Sequence, residues 1–151
     1  MKPRPPTPHE LERIVSILGY QFSWAVAEAF VNMAGHLAVG LVRGKLRYVY
    51  VNGTHALTLR PTTGMFTISK VAGEIIVKAE PPPRFRVVIS GAREIKGSVL
   101  AADVVEADPA LRPGDEVVIV TRDDELVGVG RARVPGFIMD KVEYGEIVRV
   151  R

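Results

Sequence analysis

Few side chains in this sequence could make or break covalent bonds. The chain has no cysteine, which excludes disulfides, thiol nucleophiles, iron–sulfur clusters and cysteine-ligated zinc. Its three histidines, His9, His36 and His55, lie in separate segments without the spacing of metal ligands. The acidic pair Asp123-Asp124 is typical of a turn rather than of an acid–base couple. We therefore expect no cofactor, no metal and no catalytic site within this chain.

Basic and hydroxyl side chains are better suited to bind phosphate. Lys96 supplies a positive charge and Ser98 a hydroxyl, while Gly97 between them lets a sugar-phosphate backbone approach its N–H closely. In the last predicted strand, residues 146–151, alternation places Arg149 and Arg151 on one face.

The first predicted strand of the second half, residues 84–89, carries Arg84 and Arg86 on one face by the same alternation. If this strand pairs with the last one, four arginines share one surface. Arginines that alternate on strands also form ordinary solvated faces, which deter edge pairing. Both interpretations stay open for each arginine.

Charge and composition restrict the class of protein. The 151 residues carry a net charge of +3, distributed as +4 over residues 1–82 and −1 over residues 83–151. A bias of this size attracts polyanions, but in the second half binding would need a local patch. No apolar run approaches the roughly 20 residues of a membrane span, and the Pro-rich start lacks the apolar stretch of a secretion signal. We expect a cytoplasmic protein without membrane contact.

The first half has a helical and then a strand-like period. Thr7-Pro8-His9-Glu10 is a capping box that predicts a helix ending at Gly19, and a second helix is predicted from Ser23 to Gly35. The aromatic residues around the helix junction, Tyr20, Phe22 and Trp24, are expected in the core.

Three strand-like runs follow, at 36–42, 45–51 and 54–60. They are separated by Arg43-Gly44 and by Asn52-Gly53, and an Asn-Gly pair is the strongest short hairpin signal. We predict a three-stranded antiparallel meander, then a short strand at 66–68 and a helix at 71–79. One hairpin is basic and aromatic, with Arg43, Lys45, Arg47, Tyr48 and Tyr50. Because basic and aromatic side chains together suit nucleic acid, it could be an RNA contact, and it could equally be a solvated surface.

Three prolines, Pro81-Pro82-Pro83, mark the predicted boundary between a domain at 1–82 and a domain at 83–151. The second half is mostly β, with a short helix predicted at 92–96, an extended run at 98–106 and a buried strand at 117–120. Small residues on one face of the strand at 126–134 predict that the backbone of another segment approaches this strand closely. Several short strands with regular turns indicate a small barrel.

The second half resembles a PUA domain, a pseudo-barrel that binds structured RNA. The likeness is carried by three segments in order: Lys96-Gly97-Ser98-Val99, Arg112-Pro113-Gly114-Asp115-Glu116-Val117 and Gly128-Val129-Gly130-Arg131-Ala132. The resemblance implies that RNA meets the helix–strand loop at Lys96, Gly97, Ser98 and Val99, and the last strand at Arg149 and Arg151.

A wider resemblance, to the C-terminal region of archaeal tRNA-guanine transglycosylase, covers nearly the whole chain. Its segments are Gly19-Tyr20-Gln21-Phe22, Leu59-Arg60-Pro61, Gly64-Met65-Phe66 and Pro83-Arg84-Phe85-Arg86-Val87. The family's large N-terminal catalytic barrel, with its aspartates and zinc-binding cysteines, has no counterpart here.

The expected fold class is therefore α+β: a small N-terminal α/β domain with an antiparallel sheet, followed by a PUA β-pseudo-barrel. The expected function is tRNA binding in support of tRNA modification of the archaeosine type, beside a possible separate catalytic transglycosylase chain. Two alternatives stay open. One is a ribosome-biogenesis or translation factor that binds rRNA, and the other is an enzymatic activity of the first domain.

Overall fold

The chain folds around two separate β-sheets, each with its own core. The computed structural model describes residues 2–91 and 95–151. They form two compact units, one up to Ile75 and one from Ile76 onward. The α+β class predicted from sequence is confirmed, while the boundary at 82/83 stays a prediction. None of the helices in the described residues is long and apolar enough to cross a membrane.

The first sheet is an antiparallel four-stranded meander in the order β1-β2-β3-β4. Two-residue turns at Arg43-Gly44 and Asn52-Gly53 connect its first three strands. All four turn residues have positive φ, as a type I′ hairpin turn requires. The predicted meander is thus confirmed. The elements are α1 (Pro8–Gln21), α2 (Trp24–Val31), β1 (Leu37–Val42), β2 (Lys45–Val51), β3 (Thr54–Leu59), β4 (Phe66–Ile68) and α3 (Lys70–Ala79).

The helix starts follow the predicted caps. Thr7 Oγ1 accepts the Glu10 N–H at 3.1 Å, and the Glu10 carboxylate accepts the Thr7 N–H at 2.9 Å. Arg4 pairs with the same carboxylate at 2.7 Å. The hydrogen bonds from Arg4 and Thr7 hold the pKa of Glu10 at about 2. The helix ends differ from prediction: α1 continues to Gln21, and α2 stops at Val31 instead of Gly35.

The end of α1 is fixed to the edge strand of the first sheet. The Gln21 amide nitrogen donates to the Phe66 carbonyl at 2.7 Å, and its amide oxygen accepts the Phe66 N–H at 2.8 Å. A single side chain therefore satisfies one backbone donor and one acceptor of β4, and α1 lies against the sheet without leaving them unpaired.

Two of the three aromatic residues expected in the core are exposed. Phe22 is buried, but Tyr20 is 82% and Trp24 67% accessible. The buried face of α1 runs through Ile14 and Leu18. Two residues further on, the helix has turned by more than half a revolution, so Tyr20 points to solvent.

The second sheet has six strands in the order β6-β10-β9-β8-β5-β7. All pairs are antiparallel except β5 with β8, which is parallel. The extended run predicted at 98–106 is interrupted by a 3₁₀ turn at Ala101–Asp103. Of the helix predicted at 92–96, residues 92–94 lie outside the described residues. The strands are β5 (Arg86–Ile89), β6 (Ser98–Leu100), β7 (Val104–Ala107), β8 (Glu116–Val120), β9 (Leu126–Ala132) and β10 (Glu146–Val150).

Arg86, the first residue of β5, is completely buried. Its Nε and Nη2 donate to the two carboxylate oxygens of Asp124, each at 2.9 Å. Nη1 donates to the Arg84 carbonyl at 3.0 Å, and Nη2 also donates to the Val77 carbonyl at 2.9 Å. The prediction that Arg86 lies on an exposed face is wrong, because β5 lies between β7 and β8 and all four of its residues are buried.

Gly130 brings β9 against β10. A Cβ at this position would lie 2.3 Å from the Arg149 carbonyl oxygen and 2.9 Å from Val148 Cγ1. Such a distance to backbone is impossible without moving the strand, so the predicted close approach is confirmed here. At Gly128 the nearest atoms to a Cβ, in Ile119 and Val150, are 3.9 Å away, which is ordinary contact.

Replacing Asp124 by Ala should lower the free energy of unfolding by about 3 kcal/mol, because the buried Arg86 charge then loses its counter-ion. Urea titration followed by circular dichroism measures this change. Asp123→Ala, on the exposed neighbour in the same turn, should change stability by less than about 0.5 kcal/mol. Equal stabilities of the two variants would contradict the structural role of Arg86.

Replacing Gly130 by Ala should destabilise the protein by about 2 kcal/mol or more, since the methyl group forces β9 away from β10. Gly128→Ala is the matched control on the same strand and should be tolerated within about 1 kcal/mol. Thermal unfolding distinguishes them, and a Gly130→Ala protein as stable as wild type would refute the close approach.

Candidate functional site

The last strand, β10, collects the basic side chains of the second unit. It lies between β6 and β9, with Arg149 directly opposite Ser98 on one side and opposite Arg131 on the other. The Arg133 N–H donates to the Ile147 carbonyl at 2.8 Å, which continues the pairing beyond the end of β9. Three segments distant in sequence therefore meet along one strand.

Four arginines line a cavity of about 240 Å³ on this part of the sheet. We call it the arginine cleft; it is lined by Arg131, Arg133, Arg149, Val150 and Arg151. Arg149 and Arg151 were predicted site residues. Arg131 and Arg133 were missed, because the sequence alone does not show that their strand pairs with the last one. The signal that could have found them is the alternation of these two arginines along the strand that pairs with the last one.

Two glutamates hold the arginines in place. Glu116 on β8 is buried, and pairs with Arg151 at 2.7 Å and with Arg131 at 3.6 Å. Its carboxylate is inaccessible, so it orients these guanidinium groups from within the sheet. Each guanidinium has five N–H donors, and one carboxylate cannot occupy all the donors of two arginines.

Glu146, at the start of β10, is the second glutamate. It pairs with Arg149 at 3.1 Å and with Arg133 at 3.7 Å, and accepts a hydrogen bond from the Ser98 hydroxyl. The Ser98 hydrogen bond and the Arg149 guanidinium lower the pKa of Glu146 below its usual value, so it is ionised at neutral pH. Two carboxylates against four guanidinium groups leave the arginine cleft with a net charge of +2.

The accessible part of this charge lies mainly on two residues. The side chains of Arg133 and Arg149 are 54% and 63% exposed, against 34% for Arg131 and 37% for Arg151. Exposed, partly paired guanidinium groups can exchange a carboxylate for a phosphate, whose oxygens fit the same planar fork.

The predicted loop lies beside β10. Gly97 has φ +78°, and among the described residues, its two chain neighbours aside, none has a heavy atom within 4 Å of where its Cβ would be, so its backbone is open to an approaching ligand. Its carbonyl accepts the Val150 N–H at 2.9 Å, which attaches the loop to β10. Lys96 is exposed and Ser98 half-buried. These three residues extend the basic surface on the side of β10 away from β9.

Three other predicted site residues do not join this surface. Val99 is fully buried in the core of the second unit, so its prediction as an RNA contact is wrong. Arg86 is likewise buried. Arg84 is exposed and lies over the Phe85 ring, with its guanidinium carbon 4.5 Å from the ring centre. Since β8 and β9 separate β5 from β10, the expected pairing of the first strand with the last does not occur.

Comparison with protein families assigns both units. Residues 12–83 match the patch-forming domain C2 of tRNA-guanine transglycosylase, and residues 87–151 match the PUA domain. The tRNA-guanine(15) transglycosylase of Pyrococcus abyssi is 34% identical over 98% of this chain. That of Methanothermobacter thermautotrophicus is 28% identical over 96% of it. The chain spans 26% and 23% of the length of these two relatives.

Solved structures show the same fold. A hypothetical protein from Pyrococcus horikoshii superposes with a TM-score of 0.71 at 19% identity, over 99% of this chain and 93% of the other. A conserved PUA domain protein from Thermoplasma acidophilum gives 0.67 at 16% identity, over 99% and 92%. The chain thus matches the PUA domain over residues 87–151, and nearly its whole length is similar to the C-terminal region of archaeal tRNA-guanine transglycosylases. The solved structures agree with it in fold.

Proposed function

We propose that this chain binds folded RNA through the arginine cleft and the adjoining residues Lys96, Gly97 and Ser98. The observation that carries the proposal is the convergence of four arginines on β9 and β10 around one cavity, with their counter-charges at Glu116 and Glu146. Glu116 is buried and fixes the arginines from inside, so their remaining donors are oriented before a ligand arrives. Preorganised donors of this kind lose little conformational entropy on binding phosphate.

The RNA that we propose is tRNA, and the process is tRNA modification. The chain resembles one region of proteins called tRNA-guanine(15) transglycosylases. Because their name refers to tRNA, this likeness supports tRNA as the ligand. In this proposal the chain is not catalytic. A separate transglycosylase-type chain supplies the chemistry, and this chain holds the substrate.

The proposed contacts are sequence-independent. Arginine, a lysine and a backbone N–H at Gly97 recognise phosphate oxygens rather than base edges. Affinity should therefore depend steeply on salt, and selectivity for tRNA should come from the shape of the folded molecule.

Replacing Arg133 and Arg149 together by Ala should weaken binding to a tRNA transcript by roughly tenfold or more for each arginine. It should also reduce the slope of log K against log salt by about 1.5 to 2, because two phosphate contacts are lost. Filter binding over a salt series measures both quantities.

Arg122→Ala is the matched control for charge, since Arg122 is an exposed arginine in the turn between β8 and β9, outside the arginine cleft. It should leave the affinity within about twofold of wild type. If wild-type protein fails to bind tRNA at low salt, the proposal is wrong. If an rRNA fragment of equal length binds more tightly than tRNA, the preference for tRNA is wrong.

Glu146→Gln should strengthen RNA binding roughly two- to fivefold, because it removes a carboxylate that competes with phosphate for Arg149 and Arg133. Gln at this position can still accept from Ser98. Glu143→Gln, on an exposed residue that does not line the cleft, should have less effect. A loss of affinity in Glu146→Gln would show that the carboxylate orients the arginines more than it competes for them.

A further inference from the structure

The outer face of the first sheet carries a group of aromatic and hydroxyl side chains. One face of the sheet is buried, with Val39, Val49 and Leu57 at 0% accessibility. Strand register places the opposite side chains together: Gly40 pairs with Tyr48, Tyr48 with Thr58, and Tyr50 with His55. Thr58 in turn pairs with Thr67. We call Tyr48, Tyr50, His55, Thr58 and Thr67 the aromatic platform.

Three rings form a continuous cluster on this platform. The ring centres of Tyr48 and Tyr50 are both 5.9 Å from that of His55, and the two tyrosine rings are 6.5 Å apart. His55 Nε2 lies 2.7 Å from the Thr58 hydroxyl, which fixes the orientation of the imidazole. His55 is exposed and both tyrosines are half-buried.

Gly40 on the neighbouring strand gives the tyrosine rings room. A Cβ on Gly40 would lie 3.4 Å from Tyr48 Cδ2 and 3.4 Å from Tyr50 Cε2. The two rings therefore extend over β1 at a position without a side chain.

The charged residues of the first sheet itself are all basic. Residues 37–68, which form the whole first sheet with its turns, contain Arg43, Lys45, Arg47 and Arg60 and no aspartate or glutamate. An aromatic surface on a sheet whose own charged residues are basic complements a ligand that combines flat rings with negative charge. Unpaired nucleotides have that chemistry, because each carries an aromatic base and a phosphate.

We propose that the aromatic platform is a second RNA contact, at which unpaired bases of RNA stack on Tyr48, Tyr50 and His55. Aromatic side chains on a four-stranded antiparallel sheet can each stack on one unpaired base of a single strand. Side chains two residues apart on a strand, such as Tyr48 and Tyr50, point the same way and lie 6–7 Å apart along it. The platform belongs to the first unit and the arginine cleft to the second, so this inference does not depend on the proposed function.

The test is to replace Tyr48 and Tyr50 together by Ala in the full chain. Fluorescence anisotropy would measure binding of a labelled ten-nucleotide RNA without self-complementarity, and of the same strand annealed into a duplex. Binding of the single strand should weaken roughly 5- to 150-fold for each stacked base that is lost. Binding of the duplex should not change, because its bases are already stacked on each other.

Tyr48→Phe/Tyr50→Phe is the matched control, since it keeps the rings and removes only the hydroxyl groups; it should bind the single strand as wild type does. The variant Arg133→Ala/Arg149→Ala changes the arginine cleft and leaves the aromatic platform intact. When Tyr48→Ala/Tyr50→Ala is added to this variant, binding of the single strand should weaken by the same factor as in the wild-type background. That result separates failure of the platform from failure of the arginine cleft.

If the double Ala variant does not fold, Thr67→Glu provides a second test of the aromatic platform. It places a negative charge on the platform at a half-buried position opposite Thr58, and should weaken binding of the single strand. The proposal is overturned if Thr67→Glu or the folded Ala variant binds the single strand as wild type does. It is also overturned if single strand and duplex lose affinity equally, or if the Phe variant loses as much as the Ala variant.

Discussion

The close contact between Gly130 and the Arg149 carbonyl is the constraint on which the candidate site depends. β9 can lie beside β10 in this register only because position 130 has no side chain. The register places Arg131 opposite Arg149. Arg133, two residues further on, continues the pairing through its N–H and the Ile147 carbonyl. A shift of one residue would turn the side chains of one strand to the other face of the sheet and disperse the four arginines. Backbone packing in the core thus determines where the surface charge accumulates.

Arginine has two different roles in the second unit, and burial decides between them. Arg86 is inside the protein, where both oxygens of Asp124 and two backbone carbonyls occupy four of its five donors. Such a group has little capacity left for a ligand. Arg133 and Arg149 share the carboxylate of Glu146, and more than half of each arginine side chain is exposed. The number of arginines in a segment therefore says less about phosphate binding than the partners that each one has.

Local signals in the sequence predicted most of the fold. The two positive-φ turns of the meander, the capping box at Thr7 and the close approach at Gly130 all follow from residue type and spacing over a few positions.

The errors in the sequence predictions concern residues that are neighbours in space but distant in sequence. Arg86 alternates like a surface residue. Only the parallel pairing of β5 with β8, which places it opposite Val118, 32 residues later, shows that it is enclosed. Tyr20 and Trp24 are large and apolar enough for a core, but the helical faces that reach the sheet were already filled by Ile14, Leu18 and Phe30. The same reason explains why Arg131 and Arg133 were missed: their partner strand had to be known first.

The position of β10 in the second sheet has a consequence for biosynthesis. This strand follows the other five strands of its sheet in the sequence, yet it occupies an interior place between β6 and β9. While the ribosome still holds residues 146–150, both neighbouring strands expose unpaired backbone edges, and edges of this kind are prone to wrong association. The first sheet contains only strands that are adjacent in sequence, so it can form as soon as residue 68 has emerged. A nascent chain would then carry one completed sheet and one with an open gap, and the arginine cleft would form only when β10 takes its place between β6 and β9.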